Sequence, residues 1–202
     1  MLPEIVVFDL GKVLVDFNFG LAARRIAAAS KVTAEAVQTL IDHSPLLFRY
    51  ETGQINKEEF YRAICEETGY NAPFNEFSTA FSDIFAPIPE MIHLHGRLRE
   101  AGVPVFIFSN TNDLALAHIR RNYPFIHYFD GYVFSFEQGS MKPQAPIYEA
   151  VEKLTGRRGK QILYLDDRLD NAEAGRARGW EVIQHRAPDE SISLVERFGL
   201  LN

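Results

Sequence analysis

Apolar residues form a few short, nearly unbroken runs along the chain, and these runs predict strands. The clearest are residues 4–8 (EIVVF), 103–108 (VPVFIF) and 161–165 (QILYL). They are rich in β-branched and aromatic residues and lack polar alternation, which is typical of strands in a parallel sheet covered on both faces. Residues 131–136 (GYVFSF) and 180–185 (WEVIQH) are further candidate strands.

Between these runs the apolar residues recur with the spacing of helices. Residues 89–102 place apolar side chains on one face and end at Gly102, and residues 146–156 do the same and end at Gly156. Glycine at such a position commonly ends a helix. Strands that alternate with helices favour right-handed crossovers. We therefore predict an α/β fold with a doubly wound, Rossmann-like parallel sheet.

Residues 17–87 interrupt this alternation. They contain no good strand, and their helical patterns cover residues 20–30, 33–42, 56–69 and 75–85. Asn56 and Glu59 have the spacing of a capping box at the start of one of these helices. We predict an all-helical cap domain at 17–87, inserted into a core domain made of residues 1–16 and 88–202.

Composition narrows the class of protein. The chain has 202 residues, a formal charge of -6, 47% hydrophobic and 24% charged residues, and one cysteine, Cys65. The Lys and Arg residues are dispersed along the chain, so the sequence predicts no basic patch that would bind a nucleic acid. A lone cysteine excludes a disulfide framework. No targeting signal or run of about 20 apolar residues is present, so we expect a cytoplasmic protein without a membrane partner.

Polar side chains follow the predicted strands at the points where the strands end. They are Asp9 after the first, Ser109, Asn110 and Thr111 after the second, and Asp166 and Asp167 after the third. Lys142 stands at the start of a predicted helix. Any one of these residues can equally be a helix cap or a turn former. Ligands of open α/β sheets bind beyond the carboxyl ends of the strands, so we expect these side chains to meet.

The acidic residues of this set suggest a metal. Asp9, Asp166 and Asp167 would repel one another at close range unless a cation lay between them. Oxygen ligands without nearby His or Cys favour Mg²⁺, which readily shares its coordination shell with phosphate.

Four segments carry a resemblance to a known family. They are FDLGKVLVD (8–16), FSNTN (108–112), GSMKPQAPIY (139–148) and YLDDRLDNAEAGRARG (164–179). In order and spacing they resemble the motifs of haloacid dehalogenase superfamily phosphatases, with the helical insert where that family has its cap. One branch of this superfamily contains glucose-1-phosphate phosphatases and the phosphatase domain of soluble epoxide hydrolases. Three segments are similar to that branch: the first motif, YETGQIN (50–56) and DDRLDN (166–171).

The resemblance implies a role for each site residue. Asp9 would be the nucleophile that forms an aspartyl-phosphate, and Lys142 would neutralise both Asp9 and the transferring phosphoryl group. The implied Mg²⁺ ligands are Asp9, the carbonyl of Gly11, Asp167 and Asp166, with Asn171 as support around them. Ser109, the amide of Asn110, and Lys142 would hold the phosphate oxygens. By analogy with the family's specificity loop, Arg49, Tyr50 and Glu51 would line the substrate pocket, although surface exposure explains them nearly as well.

Gly11 departs from the family pattern. Most phosphatases of this family have a second Asp there, which protonates the leaving group and then activates water. Loss of a general acid–base group typically costs about 10² to 10⁴ in rate. One hypothesis is that the substrate has a leaving group that departs without protonation, such as the anomeric oxygen of a sugar 1-phosphate. Asp16 is a weaker alternative as a replacement acid.

We therefore expect a Mg²⁺-dependent phosphatase of a small phosphorylated metabolite, such as glucose 1-phosphate, in the form of a monomer or a homodimer. The main alternative is a catalytically weak homologue that binds a phosphorylated metabolite or a protein partner, which the glycine at position 11 favours. Phosphotransfer to an acceptor sugar is a third hypothesis. Dehalogenation is disfavoured, because such enzymes do not require the carboxylates of residues 166 and 167.

Overall fold

The computed structural model describes residues 2–201 of the chain. Its strands are β1 (Ile5–Phe8), β2 (Val15–Phe17), β3 (Phe85–Pro87), β4 (Val105–Ser109), β5 (Gly131–Phe134), β6 (Ile162–Asp166) and β7 (Glu181–Gln184). Its helices are α1 (Phe19–Ala27), α2 (Ala34–His43), α3 (Pro45–Glu51), α4 (Lys57–Thr68), α5 (Phe74–Ser82), α6 (Pro89–Glu100), α7 (Asp113–Asn122), α8 (Ser135–Gln138), α9 (Ala145–Thr155), α10 (Leu169–Ala177) and α11 (Pro188–Arg197).

Five strands form one parallel sheet in the order β5-β4-β1-β6-β7. The central strand β1 pairs with β4 on one side and β6 on the other, so that Phe8 lies beside Ile107 and Leu165. The chain builds one half of the sheet through β4 and β5 and then crosses to the other half. This confirms the predicted doubly wound α/β fold, and it places the carboxyl ends of β1, β4 and β6 next to one another.

Both faces of the sheet are buried, as the unbroken apolar runs predicted. Val6 and Phe8 point into one hydrophobic cluster with α6 and α7, whereas Ile5 and Val7 point into a second cluster with α9. All four side chains are almost completely buried. Successive residues of a strand face opposite sides, so a strand covered on both sides needs apolar residues at every position.

A short two-stranded antiparallel sheet, β2 with β3, differs from the sequence expectation. It pairs Val15 with Pro87 and Phe17 with Phe85, so the expectation of no strand in residues 17–87 is wrong at both ends of that segment. Three-residue strands are too short to produce a readable alternation.

Helices α1–α5 lie between β2 and β3, and we call them the helical insert. The insert has its own aromatic core, in which Tyr50 stacks on Phe60 with ring centroids 4.5 Å apart. The predicted capping box of Asn56 and Glu59 is present. Helix α3 was not predicted from the pattern. None of the helices among residues 2–201 combines the length and apolar content needed to cross a bilayer.

Candidate active site

Three carboxylates meet at the carboxyl ends of β1 and β6. Asp9, Asp166 and Asp167 each place one oxygen within 4.8 Å of the others. Register explains this proximity, because β1 and β6 are neighbours and the amide of Asp9 donates to the carbonyl of Leu165 over 2.9 Å. The last residues of two adjacent parallel strands must leave the sheet at the same edge.

Lys142 joins two of these acids from the segment before α9. Its Nζ lies 3.0 Å from Asp9 Oδ1 and 2.7 Å from Asp166 Oδ2, and it also donates to the carbonyl of Phe108 over 2.9 Å. The Lys142 side chain is 1% exposed. Burial opposes the charge on Lys142, but Asp166 and Asp9 outweigh it and raise its pKa. The lysine is therefore a fixed buried cation.

Asp166 is the most tightly held of the three acids. Its carboxylate accepts hydrogen bonds from Tyr164, from the backbone amide of Arg168 and from the side-chain amide of Asn171. Burial disfavours its charge, but Lys142 and the hydrogen bonds from Tyr164 and Arg168 outweigh burial and keep the pKa of Asp166 below its ordinary value. Asp166 is thus a fixed, ionised carboxylate that holds Lys142 in place.

The surroundings of the other two acids, Asp9 and Asp167, disfavour their charged forms and raise their pKa values. Burial raises the pKa of Asp9 to about 7, with a further upward effect of Asp166 and a downward effect of Lys142. Burial and the charge of Asp166 also raise the pKa of Asp167. One lysine does not compensate three clustered carboxylates, two of them buried, so a cation placed among them would favour their ionised forms.

The chemistry of these groups fits a magnesium ion. The donors available at the cluster are carboxylate oxygens, which Mg²⁺ prefers, and Gly11 lines the same cavity as Asp9 and Asp167. In addition, Asn171 Oδ1 is buried and accepts no hydrogen bond from any residue in 2–201. Such an acceptor suits a metal-bound water.

Ser109 ends β4 and Asn110 follows it, at the same edge of the sheet. The side chain of Asn110 exchanges two hydrogen bonds with the backbone of Lys142, 2.8 Å from the Lys142 amide and 3.0 Å to the Lys142 carbonyl. Asn110 therefore ties the segment after β4 to the segment that carries the lysine. Ser109 is 2% exposed.

A cavity of about 430 Å³ opens over the carboxylates. This volume is typical of sites for small molecules. Its lining residues are Asp9, Gly11, Lys12, Phe17, Phe19, Leu47, Glu51, Asn110, Met141, Lys142, Pro143, Asp167, Arg168, Asp170 and Asn171. The structure thus brings every predicted catalytic, substrate-binding and metal residue to this cavity or beside it, and their roles stay predictions.

A smaller, mainly apolar recess of about 70 Å³ adjoins the site beside Ser109 and Asn110. The aromatic rings of Phe17, Phe19, Phe81 and Phe85 line it. In the sequence these phenylalanines look like core residues, and no spacing distinguishes those that line a recess.

Of the three insert residues considered from the sequence, Glu51 alone lines the cavity and the recess. Arg49 borders a separate surface depression with Glu59. The buried Tyr50 instead directs its hydroxyl to Asp113 at the start of α7. One residue of the predicted specificity segment is thus placed at the site.

Asp16 is poorly placed as an acid. It is exposed, forms an ion pair with Lys12 and lines neither the cavity nor the recess. The hydrogen bond from Lys12 lowers the pKa of Asp16, so this carboxyl group holds no proton to donate at neutral pH.

Comparisons with known proteins agree with this geometry. The sequence model of the haloacid dehalogenase-like hydrolase family matches residues 3–179. The chain is 26% identical to a sesquiterpene phosphatase of Aspergillus oryzae, over 87% of this chain and 86% of that protein. It is 22% identical to a D-ribitol-5-phosphate phosphatase of Bacteroides thetaiotaomicron, over 89% and 90% of the two chains.

A solved structure shares the fold. It is the crystal structure of a haloacid dehalogenase family enzyme from Bacteroides thetaiotaomicron in complex with magnesium and inorganic phosphate. The TM-score is 0.80, the sequence identity is 23%, and the match covers 92% of this chain and 95% of that one.

Proposed function

The chain belongs to the haloacid dehalogenase-like hydrolase family, and we propose that it is a Mg²⁺-dependent phosphatase of small phosphorylated metabolites. The observation that carries the proposal is the meeting of Asp9, Asp166 and Asp167 around one point, with Lys142 between the first two. The phosphatases among its relatives, and the magnesium and phosphate bound by a protein of the same fold, support it.

In this proposal Asp9 attacks the phosphorus atom and forms an aspartyl-phosphate, which water then hydrolyses. Lys142 lies 3.0 Å from Asp9 and would offset the negative charge of the phosphoryl group as it approaches. Ser109 and the amide of Asn110 would hold its oxygens. Mg²⁺, when bound by Asp9, Asp166, Asp167 and the carbonyl of Gly11, would polarise the phosphoryl group. Asn171 would orient groups around the ion.

The polar lining of the larger cavity supports a sugar phosphate as substrate. Lys12, Glu51, Asn110, Arg168 and Asp170 offer donors and acceptors for hydroxyl groups. Glucose 1-phosphate is our first candidate, because its anomeric oxygen departs more readily than an ordinary alcohol. A clear preference for glucose 6-phosphate would count against this choice.

The recess favours a second candidate, the phosphate ester of an alcohol with an apolar end. Burial of an apolar group against the four phenylalanine rings would contribute about 25 cal/mol for each Å² removed from water. Similarity to a sesquiterpene phosphatase points the same way. Values of kcat/KM for glucose 1-phosphate, ribitol 5-phosphate and dimethylallyl phosphate would separate the candidates.

The proposed activity is tested with purified protein and 4-nitrophenyl phosphate. We expect hydrolysis with Mg²⁺, none with chelator, and loss of activity in Asp9→Asn. Binding of Mg²⁺ and inorganic phosphate without turnover of any ester in a broad panel would overturn the proposal and favour a binding protein.

We further propose that the segment 17–87 acts as a cap that closes over the cavity and excludes water, between core segments 1–16 and 88–202.

A further inference from the structure

When the nucleophile attacks the phosphate ester of an ordinary alcohol, the alcohol leaves as a strongly basic alkoxide unless an acid protonates its oxygen. At the position two residues after Asp9, glycine provides no such acid. The ring of Phe17 fills the adjoining space, with Cε1 2.8 Å from where a Cβ atom on Gly11 would lie. If the protein is a phosphatase, as proposed above, its acid for alkyl esters must come from elsewhere in the cavity wall.

Four carboxylic acids of the described chain line the larger cavity, and three of them interact with other charged groups. Asp9 and Asp167 belong to the acidic cluster. Asp170 is bound through two hydrogen bonds to Arg168, 2.8 and 3.1 Å long, and this interaction lowers the pKa of Asp170. Glu51 is the fourth, and it is separate from both groups.

Glu51 reaches the cavity from the last turn of α3, on the side of the helical insert. The chain around it is fixed against the rest of the protein. The hydroxyl of Tyr50 donates to Asp113, and a Cβ atom on Gly53 would lie 2.3 Å from the carbonyl oxygen of Phe136. This close approach and the φ of +67° at Gly53 both require glycine. The backbone that carries Glu51 is therefore held in position beside the cavity.

The surroundings of Glu51 suit a group that both gives and takes a proton. Burial raises the pKa of Glu51 to about 7, although a hydrogen bond with Asn112 works in the opposite direction. A general acid–base group is most effective when its pKa lies near the working pH. The charged groups that line the same cavity are Asp9, Lys12, Lys142, Asp167, Arg168 and Asp170.

We propose that Glu51 is the general acid–base residue of this phosphatase. As Asp9 attacks phosphorus, the bond from phosphorus to the ester oxygen breaks, its electron pair stays on that oxygen, and the Glu51 proton moves to it. The alcohol leaves and Glu51 is a carboxylate. Water then attacks the phosphorus of the aspartyl-phosphate and gives a proton to Glu51. The bond from phosphorus to the Asp9 oxygen breaks, and inorganic phosphate and the Asp9 carboxylate are released.

The test compares two esters in Glu51→Gln, which keeps the shape of the side chain but has no proton to donate. We expect kcat/KM for an alkyl phosphate to fall by about 10² to 10⁴. For 4-nitrophenyl phosphate, whose leaving group departs without protonation, we expect a much smaller loss in the same sample. Glu51→Asp should retain part of the activity on the alkyl ester. Glu58→Gln, an exposed change in the same insert, should act like the wild type.

The retained activity on the aryl ester also reports that the variant is folded. Equal losses on the two esters, or no loss on the alkyl ester, would overturn the role of Glu51. Failure of the proposed function looks different, because the wild-type protein would then hydrolyse neither ester, or Asp9→Asn would hydrolyse both as the wild type does.

Discussion

The ring of Phe17 lies over Gly11, with Phe17 Cε1 2.8 Å from the position that a Cβ atom on Gly11 would take. Lys12 contributes to this arrangement, since its Nζ lies 4.7 Å from the centroid of the Phe17 ring and donates to the Phe17 carbonyl over 3.0 Å. Lys12 itself has a φ of +61°, which is uncommon for a residue with a side chain. The glycine and the phenylalanine therefore form one packed unit.

An aspartate at position 11, as the family resemblance implies for most phosphatases, should therefore not be accommodated here. In Gly11→Asp the new side chain collides with Phe17, so we expect a loss of about 1–3 kcal/mol in the free energy of unfolding. We also expect no gain in turnover. Urea unfolding and kcat/KM for an alkyl phosphate measure the two effects.

Removal of the ring provides the control for this change. In the double variant Gly11→Asp/Phe17→Ala the collision is absent, so the new aspartate should cost less than it does in the presence of Phe17. A Gly11→Asp protein that is as stable as the wild type and more active would show that Phe17 does not exclude a side chain here.

Magnesium should stabilise the folded protein against heat and urea. The three acids of the cluster converge only in the fold, and an ion that binds the folded state alone adds about 2.7 kcal/mol at 100 times its Kd. Asp167→Asn should lose most of this gain. The exposed Asp189→Asn, on α11, should keep it. A melting temperature that does not change with Mg²⁺ at constant ionic strength would contradict a metal site at the cluster.

The fold was largely predictable because its strands are buried on both faces. Residues 5–8 (IVVF) are apolar at every position for that reason, and Asp9 stands out as the first charge after them. The ends of α6 and α9 were also predictable, since Gly102 and Gly156 follow these helices and both have positive φ.

The residues that line the cavity and the recess were less predictable. Phe17 and Phe81 look like other core aromatics in the sequence, because a ring that lines a recess and a ring inside a core have the same chemistry. Glu51 was one of three neighbours in α3, and only its direction distinguishes it from Arg49. Side-chain direction depends on tertiary packing, which no local pattern contains.

Loss of the buried lysine should be costly. In Lys142→Met, Asp9 and Asp166 lose the cation that lies 3.0 and 2.7 Å from them, and we expect the free energy of unfolding without Mg²⁺ to fall by about 3–5 kcal/mol. The matched control is Arg97→Met, which removes a partly exposed pair with Glu196 and should cost less than about 1 kcal/mol. Similar losses in both variants would contradict the special position of Lys142.

The buried His95 should make stability depend on pH. It stacks on Phe129 with ring centroids 4.1 Å apart, and burial lowers the pKa of His95 below 6.5. The unfolded chain then binds a proton more readily than the folded one, so stability is retained above pH 6.5 and is lost as pH falls below it. Urea unfolding at about pH 7.5 and about pH 5.5 should show a smaller loss in His95→Gln than in the wild type. Equal losses would contradict this interpretation.

The hydroxyl of Tyr50 joins the helical insert to α7 through its hydrogen bond to Asp113, and its removal should affect both stability and substrate binding. In Tyr50→Phe the ring keeps its stack on Phe60, but Asp113 loses its donor. We expect a loss of about 1–3 kcal/mol in the free energy of unfolding, together with a higher KM, because the turn of α3 that carries Glu51 loses a contact with α7. Tyr61→Phe is the matched control, since the Tyr61 hydroxyl donates to the Ala72 carbonyl within the insert over 2.8 Å. It should reduce stability and leave KM unchanged, and a similar rise of KM in both variants would contradict a specific role of the contact between Tyr50 and Asp113.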